Sequence, residues 1–255
     1  MMPPIMTTAA LQQLPLWEEG AGDAGWRVRR SRRARRLGVR VFRDGSVEIV
    51  VPERVGVRQV ESFVAHHRDW IEHHRRRAPV IDTRFPPPAI ELPALGERWR
   101  LEVAEAGPVL RERREGAAGG TLEICAAGGG AMLRAALFGW LSAGASAALE
   151  PQLAGLAADL GCRYRRVQIR RQRTRWGSCS TRGTISLNCC LLFQRPAVVR
   201  YLLAHELAHL THMNHSRRFW ALVARYEPQW RELDRELTAG WSQVPGWVLA
   251  GLRGV

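Results

Sequence analysis

Two short stretches alternate apolar and polar residues, Leu37-Gly-Val-Arg-Val-Phe42 and Val47-Glu-Ile-Val-Val51. A period of two puts one set of side chains on one face of a strand. Arg43-Asp-Gly-Ser46 between them has turn chemistry, so the pair predicts a β-hairpin, closed by Pro52. The period then changes. Val57 to Arg77 carries Val60, Phe63, Val64, Trp70 and Ile71 at helical spacing and predicts one amphipathic helix. Arg84 to Pro93, with Pro86-Pro-Pro88, reads as a linker or crossover. Trp99 to Ala104 alternates again, as a strand would. Val109 to Ala127, broken by the turn-like Gly116-Ala-Ala-Gly-Gly120, predicts one or two more. Gly128-Gly-Gly130 opens a long helical stretch, Ala131 to Leu160, with Pro151 a point of splitting or kinking.

In the last third, Val167 and Ile169 alternate inside the basic run Tyr164 to Trp176. A Gly-bounded connection, Gly177 to Gly183, leads to Thr184-Ile-Ser-Leu-Asn188, a pattern that predicts a second hairpin. Pro196 suits the first turn of the next helix. That helix carries Tyr201-Leu-Leu-Ala-His-Glu-Leu-Ala-His-Leu-Thr-His-Met-Asn-His215, with an H-E-x-x-H pattern at His205, Glu206 and His209. Residues four apart share a helix face, so both imidazoles can bind one metal ion, and Glu206 can reach a water on it. The pattern fixes three positions and so occurs by chance, and a buried His is often a hydrogen-bonded core residue. Two further His within six residues, in an apolar setting that demands a reason for buried polar groups, favour the metal.

The third ligand follows from spacing. His212 lies seven residues after His205, ~10 Å along an unbroken helix, which makes a compact site awkward. A break near Met213-Asn214 would turn the chain back and bring in His215, with Asn214 as a left-handed helix-ending residue and Ser216 as the N-cap of the next helix. A downstream carboxylate, Glu227, is the alternative. Three neutral imidazoles would leave Zn²⁺ its charge and an open position for water. Glu206 would then be the general base, and Arg175 and Tyr201 are candidate donors to the developing oxyanion.

Composition changes this picture little. The 255 residues are 46% hydrophobic, enough for a core, and carry a formal net charge of +14 with Arg in place of every Lys. Such a bias is usually genomic; its functional counterpart is an anionic partner, nucleotide or nucleic acid, at Arg27 to Arg36 and Arg163 to Arg175. Neither a Gly-rich phosphate loop nor an acidic Mg²⁺ cluster accompanies it. Five Cys without a C-x-x-C pair, and a start, Met1 to Gly20, that does not read as a signal peptide, point to reduced thiols and a cytoplasmic protein. The uncharged run Ala135 to Leu149 falls short of the ~20 apolar residues of a membrane span and reads as a buried helix, so no membrane partner is expected. His66-His67 and His73-His74 share a helix face, the pattern of an exposed polar surface or, less commonly, a second metal site. Cys179 reads as structural.

Arg175-Trp-Gly-Ser-Cys-Ser180, Gly183, Ile185, Leu187-Asn188, Pro196, His205-Glu-Leu-Ala-His-Leu210 and Asn214-His-Ser-x-x-Phe-Trp220 resemble the YgjP-like family. These are zinc-dependent metalloproteases, also described as predicted metal-dependent hydrolases and related to the SprT/Spartan and WLM proteases. Val51-Pro52 and Asp69-Trp-Ile71 extend the resemblance towards the N-terminus, over roughly residues 26 to 245. It implies an α+β, zincin-like fold, in which an active-site helix packs on a small sheet behind an N-terminal β-hairpin and helix. It supports His215 as third ligand and a polypeptide as substrate. It also gives the hairpin from Trp176 through Asn188 a role in lining the cleft, where Gly177 would admit a backbone. Similar proteins are linked to nucleoside triphosphate pyrophosphohydrolysis, the second enzymatic reading. The expected organisation is a leader (1–25), a hairpin and helix region (26–85), middle strands and a long helix (86–160), a catalytic region (161–245) and a tail (246–255), with 26–245 as one family unit.

Overall fold

β3 (Val47–Pro52) has six consecutive buried residues, a run that must be covered on both faces. It is the middle strand of a three-stranded sheet in a computed structural model that describes residues 26–42, 45–76, 84–125, 127 and 129–252. The expected leader, Arg43-Asp44 of the turn and the last three residues lie outside that range. β2 (Gly38–Val41) pairs antiparallel with β3, Val39 opposite Ile49, so the alternating stretches form the expected hairpin. The basic run contains a further strand, β1 (Trp26–Ser31), parallel to β3. Its Val28 is buried while Arg27 is exposed, an alternation that the density of Arg conceals.

The expected single helix is two, α1 (Val57–His66) and α2 (Arg68–Arg76), with the break at His67. The break lets Ile71 join Val60, Val64, Ile49 and Val28 in one core. His67 Nδ1 lies 2.8 Å from the Phe63 carbonyl and His74 Nδ1 2.8 Å from that of Trp70. Each ring thus bonds its own helix, and the His66, His67, His73, His74 cluster does not form a metal-holding group among the described residues. The chain divides between Ile81 and Asp82 into two units.

The second unit contains two sheets. The first has the order β4-β5-β7-β6, from β4 (Ala89–Leu92), β5 (Glu97–Ala104), β6 (Leu110–Arg114) and β7 (Gly119–Cys125). β4 corrects the linker reading: Ile90 and Leu92 are buried and pair the segment with β5. The second sheet has the order β8-β10-β9, from β8 (Arg166–Arg170), β9 (Gly177–Cys179) and β10 (Thr184–Asn188). The hairpin is β9–β10, whereas β8 runs parallel to β10 on its other side. α3 (Gly129–Asp159) passes through Pro151 without a break in the helix. Among the described residues it is the one helix long and apolar enough to cross a bilayer. Its stripe Leu137, Leu141, Ala145, Leu149 and Leu153 is buried, and it packs on β8, β6 and the next long helix. The expected tail forms a further helix, Gly246–Gly251, whose Trp247, Val248 and Leu249 are buried.

Asn188 ties these parts together. It is fully buried. Its amide donates to the carbonyls of Gln172 (2.7 Å) and Arg175 (2.8 Å), and its oxygen accepts from Cys190 N (3.1 Å), capping the 3-10 turn Cys189–Phe193. The segment joining β8 to β9 is thereby pinned to the end of β10. Truncation would leave three backbone groups without these partners, the Cys190 N–H buried and the two carbonyls partly so. Asn188→Ala is expected to lower unfolding stability by about 2–4 kcal/mol, read as a fall in the denaturant midpoint; an unchanged midpoint would remove Asn188 from this bracing role.

Candidate metal centre

α4 (Pro196–Ala208) begins with Pro196 at its first position, where the missing N–H costs nothing. Val198, Val199, Leu202, Leu203, Ala204, Leu207 and Ala208 are buried, as in a helix enclosed on all sides. It packs against α5 (Arg217–Tyr226), α6 (Trp230–Ala239), α3 and β9. His205 and Glu206 lie in its last turn, and His209 is the residue that ends it.

The helix stops earlier than the spacing argument placed the break, and by a different device. No non-glycine residue among those described has a positive φ, so Asn214 does not make a left-handed turn. The last turn tightens instead: Leu210 N bonds Leu207 O at 3.0 Å and Thr211 N bonds Ala208 O at 3.1 Å, satisfying carbonyls a helix end leaves free. Five residues after Thr211, Ser216 caps α5 as expected, its Oγ accepting from Phe219 N at 3.4 Å. The residue before that cap is His215.

This turn brings His215 to the helix. His215 Nε2 lies 3.2 Å from His205 Nε2, and the ligand atoms of His205, His209 and His215 all lie within 4.8 Å of one another. Phe219, fully buried, fixes the arrangement from below. The His209 ring stacks on it at 4.5 Å, and the edges of His205 and His215 meet it at 4.9 and 4.7 Å. Trp220 stacks on His215 and on Trp230. His212 stays outside the group, but its carbonyl lies 3.0 Å from His209 Nδ1. Tyr201 Oη is 3.3 Å from His205 Nδ1 and donates to Asp234 Oδ1 at 2.7 Å.

Glu206 is buried, and its Oε2 has no hydrogen-bond partner. Gly177 leaves the space its carboxyl fills: a Cβ there would stand 2.6 Å from Glu206 Oε1. Burial pushes the Glu206 carboxyl up to about 8, and the Arg175 guanidinium only partly opposes it. Burial, then the charges of the other two rings, pushes His205 down to about 3, and burial lowers His209 as well. Both imidazoles are thus kept neutral, the state in which a lone pair is free for a metal. Cys179, raised to about 11 by burial and by Glu206, is a poor nucleophile.

The other expected site residues take varied places. Arg175 is exposed on the segment before β9. Trp176 is buried and stacks on Trp241 at 4.2 Å, so it packs against the turn Gly240–Gln243 rather than facing solvent. Asn188 braces backbone, as described above. Tyr201 is fully buried with its proton committed to Asp234, which removes it as an oxyanion donor. Glu227 pairs with Arg200 at 3.3 Å and stands apart from the imidazoles. Sequence reasoning missed Asp234, the His212 carbonyl and Gly177's fit to Glu206. Asp234 lies 33 residues from Tyr201, and no local pattern links them.

The donor set suits a divalent ion. Imidazole nitrogens around a tetrahedral zinc, each at its usual bond length, stand about 3.3 Å apart, and two of these stand 3.2 Å apart. Three imidazole nitrogens beside a buried carboxyl whose Oε2 lacks a partner are the arrangement of a metallohydrolase centre. The chain belongs to the YgjP-like family, matching its metallopeptidase domain over residues 35–239. Two solved structures are similar over part of the chain. The metallopeptidase zymogen of Pyrococcus abyssi, abylysin, is 32% identical, covering 36% of this chain and 93% of that one with a TM-score of 0.33. The metallopeptidase zymogen of Methanocaldococcus jannaschii, jannalysin, is 17% identical, covering 36% and 96% with a TM-score of 0.33. Among curated proteins none matches.

The buried carboxyl has a consequence for the metal-free protein. Its folded value, about 8, lies above the ordinary carboxyl value near 4.3. The fold therefore favours the protonated form, and stability falls as pH rises from the unfolded value to the folded one. Gln is neutral throughout. In chelator, Glu206→Gln is expected to be more stable than the parent by on the order of 3 kcal/mol at pH 8, with the gain shrinking towards pH 5. Denaturant unfolding at both pH values checks this; equal stabilities at pH 8 would contradict it.

Proposed function

We propose that this protein is a zinc-dependent metallopeptidase of the H-E-x-x-H type. The observation that carries the proposal is the convergence of His205, His209 and His215 beside the buried, unpartnered Glu206 carboxyl. The three imidazoles would hold Zn²⁺, and the ion when bound would supply Lewis-acid polarisation at the scissile carbonyl and at water. Glu206 is the general base and acid: it takes a proton from the attacking water and returns one to the departing amine nitrogen as the C–N bond breaks. Burial shields that carboxyl, and Gly177, lacking a side chain, leaves the space the carboxyl occupies.

A polypeptide substrate is favoured by the neighbourhood of β9. It is an edge strand of its sheet, and its first residue touches the catalytic carboxyl. An extended peptide can add to such an edge through backbone hydrogen bonds, independent of sequence. Arg175, exposed just before β9, would face the same substrate. All five cysteines are free, which supports a reducing, cytoplasmic setting.

Purified protein is expected to contain or take up one zinc per chain, and to cleave a casein-like substrate in a chelator-sensitive way. Glu206→Gln should keep the zinc and lose at least ~10²-fold in turnover; undiminished hydrolysis by this variant, or failure of the parent to take up zinc on reconstitution, would contradict the proposal. Gly177→Ala forces the Glu206 carboxyl from its place. It should lower turnover ~10²-fold with zinc content unchanged, and parent-like kinetics would show that the carboxyl has more freedom than its packing implies.

A further inference from the structure

We infer that Asp234 and Tyr201 act as positioning residues that keep the His205 proton on Nδ1, so that the Nε2 lone pair faces the centre. The inference rests on the metal-centre reading above, and it adds Asp234, from a third helix, to that centre.

The tautomer follows from a count of protons. An ionised carboxylate can only accept hydrogen bonds. Asp234 Oδ1 lies 2.7 Å from Tyr201 Oη, so the phenol proton is spent on it. The phenol oxygen can then only accept. His205 Nδ1, 3.3 Å away, must be the donor. A neutral imidazole carries one proton, so Nε2, the atom 3.2 Å from His215 Nε2, is left with its lone pair. His209 is set in the same sense by simpler means: its Nδ1 faces the His212 carbonyl at 3.0 Å, which can only accept. Two rings of the centre are thus turned to one tautomer, His205 by Tyr201 of α4 backed by Asp234 of α6, and His209 by a carbonyl in the turn after α4.

The geometry argues against two plainer roles for Tyr201. Its burial and its committed proton remove it from the substrate. Nor is it needed simply to dock α6 on α4. Arg195 at the start of α4 already grips both oxygens of Glu236, and Leu233 and Leu237 are buried on the same face of α6. Variants at Tyr201 and Asp234 should therefore keep the fold, and thermal melting of the metal-free proteins checks that they do.

The test is zinc affinity by competition with a chromophoric chelator, together with ¹⁵N NMR of the histidine rings in the metal-free full chain. Tyr201→Phe removes the acceptor from Nδ1. Asp234→Ala frees the phenol proton to turn onto Nδ1, which favours the opposite tautomer. Each is expected to weaken zinc binding roughly 10–100-fold. The double variant should bind no more weakly than Tyr201→Phe alone, because Asp234 acts through the phenol. Asp234→Asn, whose amide oxygen can still accept, should stay close to the parent. The NMR spectrum of the parent should show His205 protonated at Nδ1, and Tyr201→Phe should shift it towards a mixture. Parent-like zinc affinity in the single variants, additive losses in the double variant, or a parent His205 protonated at Nε2 would each overturn the inference. A parent that binds no zinc would instead sink the metal-centre reading, and the ring spectrum would still decide the tautomer.

Discussion

A carboxyl group sealed inside an apolar helix is the constraint on which the catalytic unit depends. A bare carboxylate there costs several kcal/mol unless it is neutral or paired. The fold does little to relieve that cost. Glu206 Oε2 has no partner, and Arg175 offsets only part of the burial. The surroundings keep the group in place rather than comfortable: α4 is enclosed by helices on several sides, and β9 meets it with a glycine where any side chain would collide. A buried polar atom left unsatisfied calls for a reason, and the proton transfer proposed for Glu206 would supply one.

The same trade governs the imidazoles. Burial holds His205 and His209 neutral, at a desolvation cost that hydrogen bonds to the Tyr201 oxygen and the His212 carbonyl partly offset. His215 is set differently. It lies exposed on a turn, guided by the faces and edges of Phe219 and Trp220. Two of the three rings are therefore set into the helix packing, and the third is held at its surface by aromatic packing.

Much of this was legible in the chain because the relevant patterns are local. The hairpin of β2 and β3, the alternation in β5, Pro196 at the head of α4, the four-residue spacing of His205 and His209, and Ser216 as a cap all depend on neighbours in sequence. What escaped notice depends on distant partners or on masked patterns. β1 sits within an Arg run that dilutes its alternation, and β4 within a stretch dominated by proline. β8 pairs in parallel with β10, which no hairpin rule can anticipate. Asn188 and Trp176 read as substrate-facing because sequence shows which residues accompany a motif, not which way they point. Asn214 was credited with a left-handed turn because asparagine tolerates one; the chain turns instead through shortened hydrogen bonds at the end of α4.

That turn ties two registers together. Its entry is His209, and its exit is His215 followed at once by the cap of α5. One residue more or fewer between them would displace His215 and Phe219 together relative to His205 and His209, undoing the packing of the three imidazoles on Phe219. The segment is thus a ruler rather than a connector: although its side chains lie largely in solvent, its length is as constrained as the composition of the core.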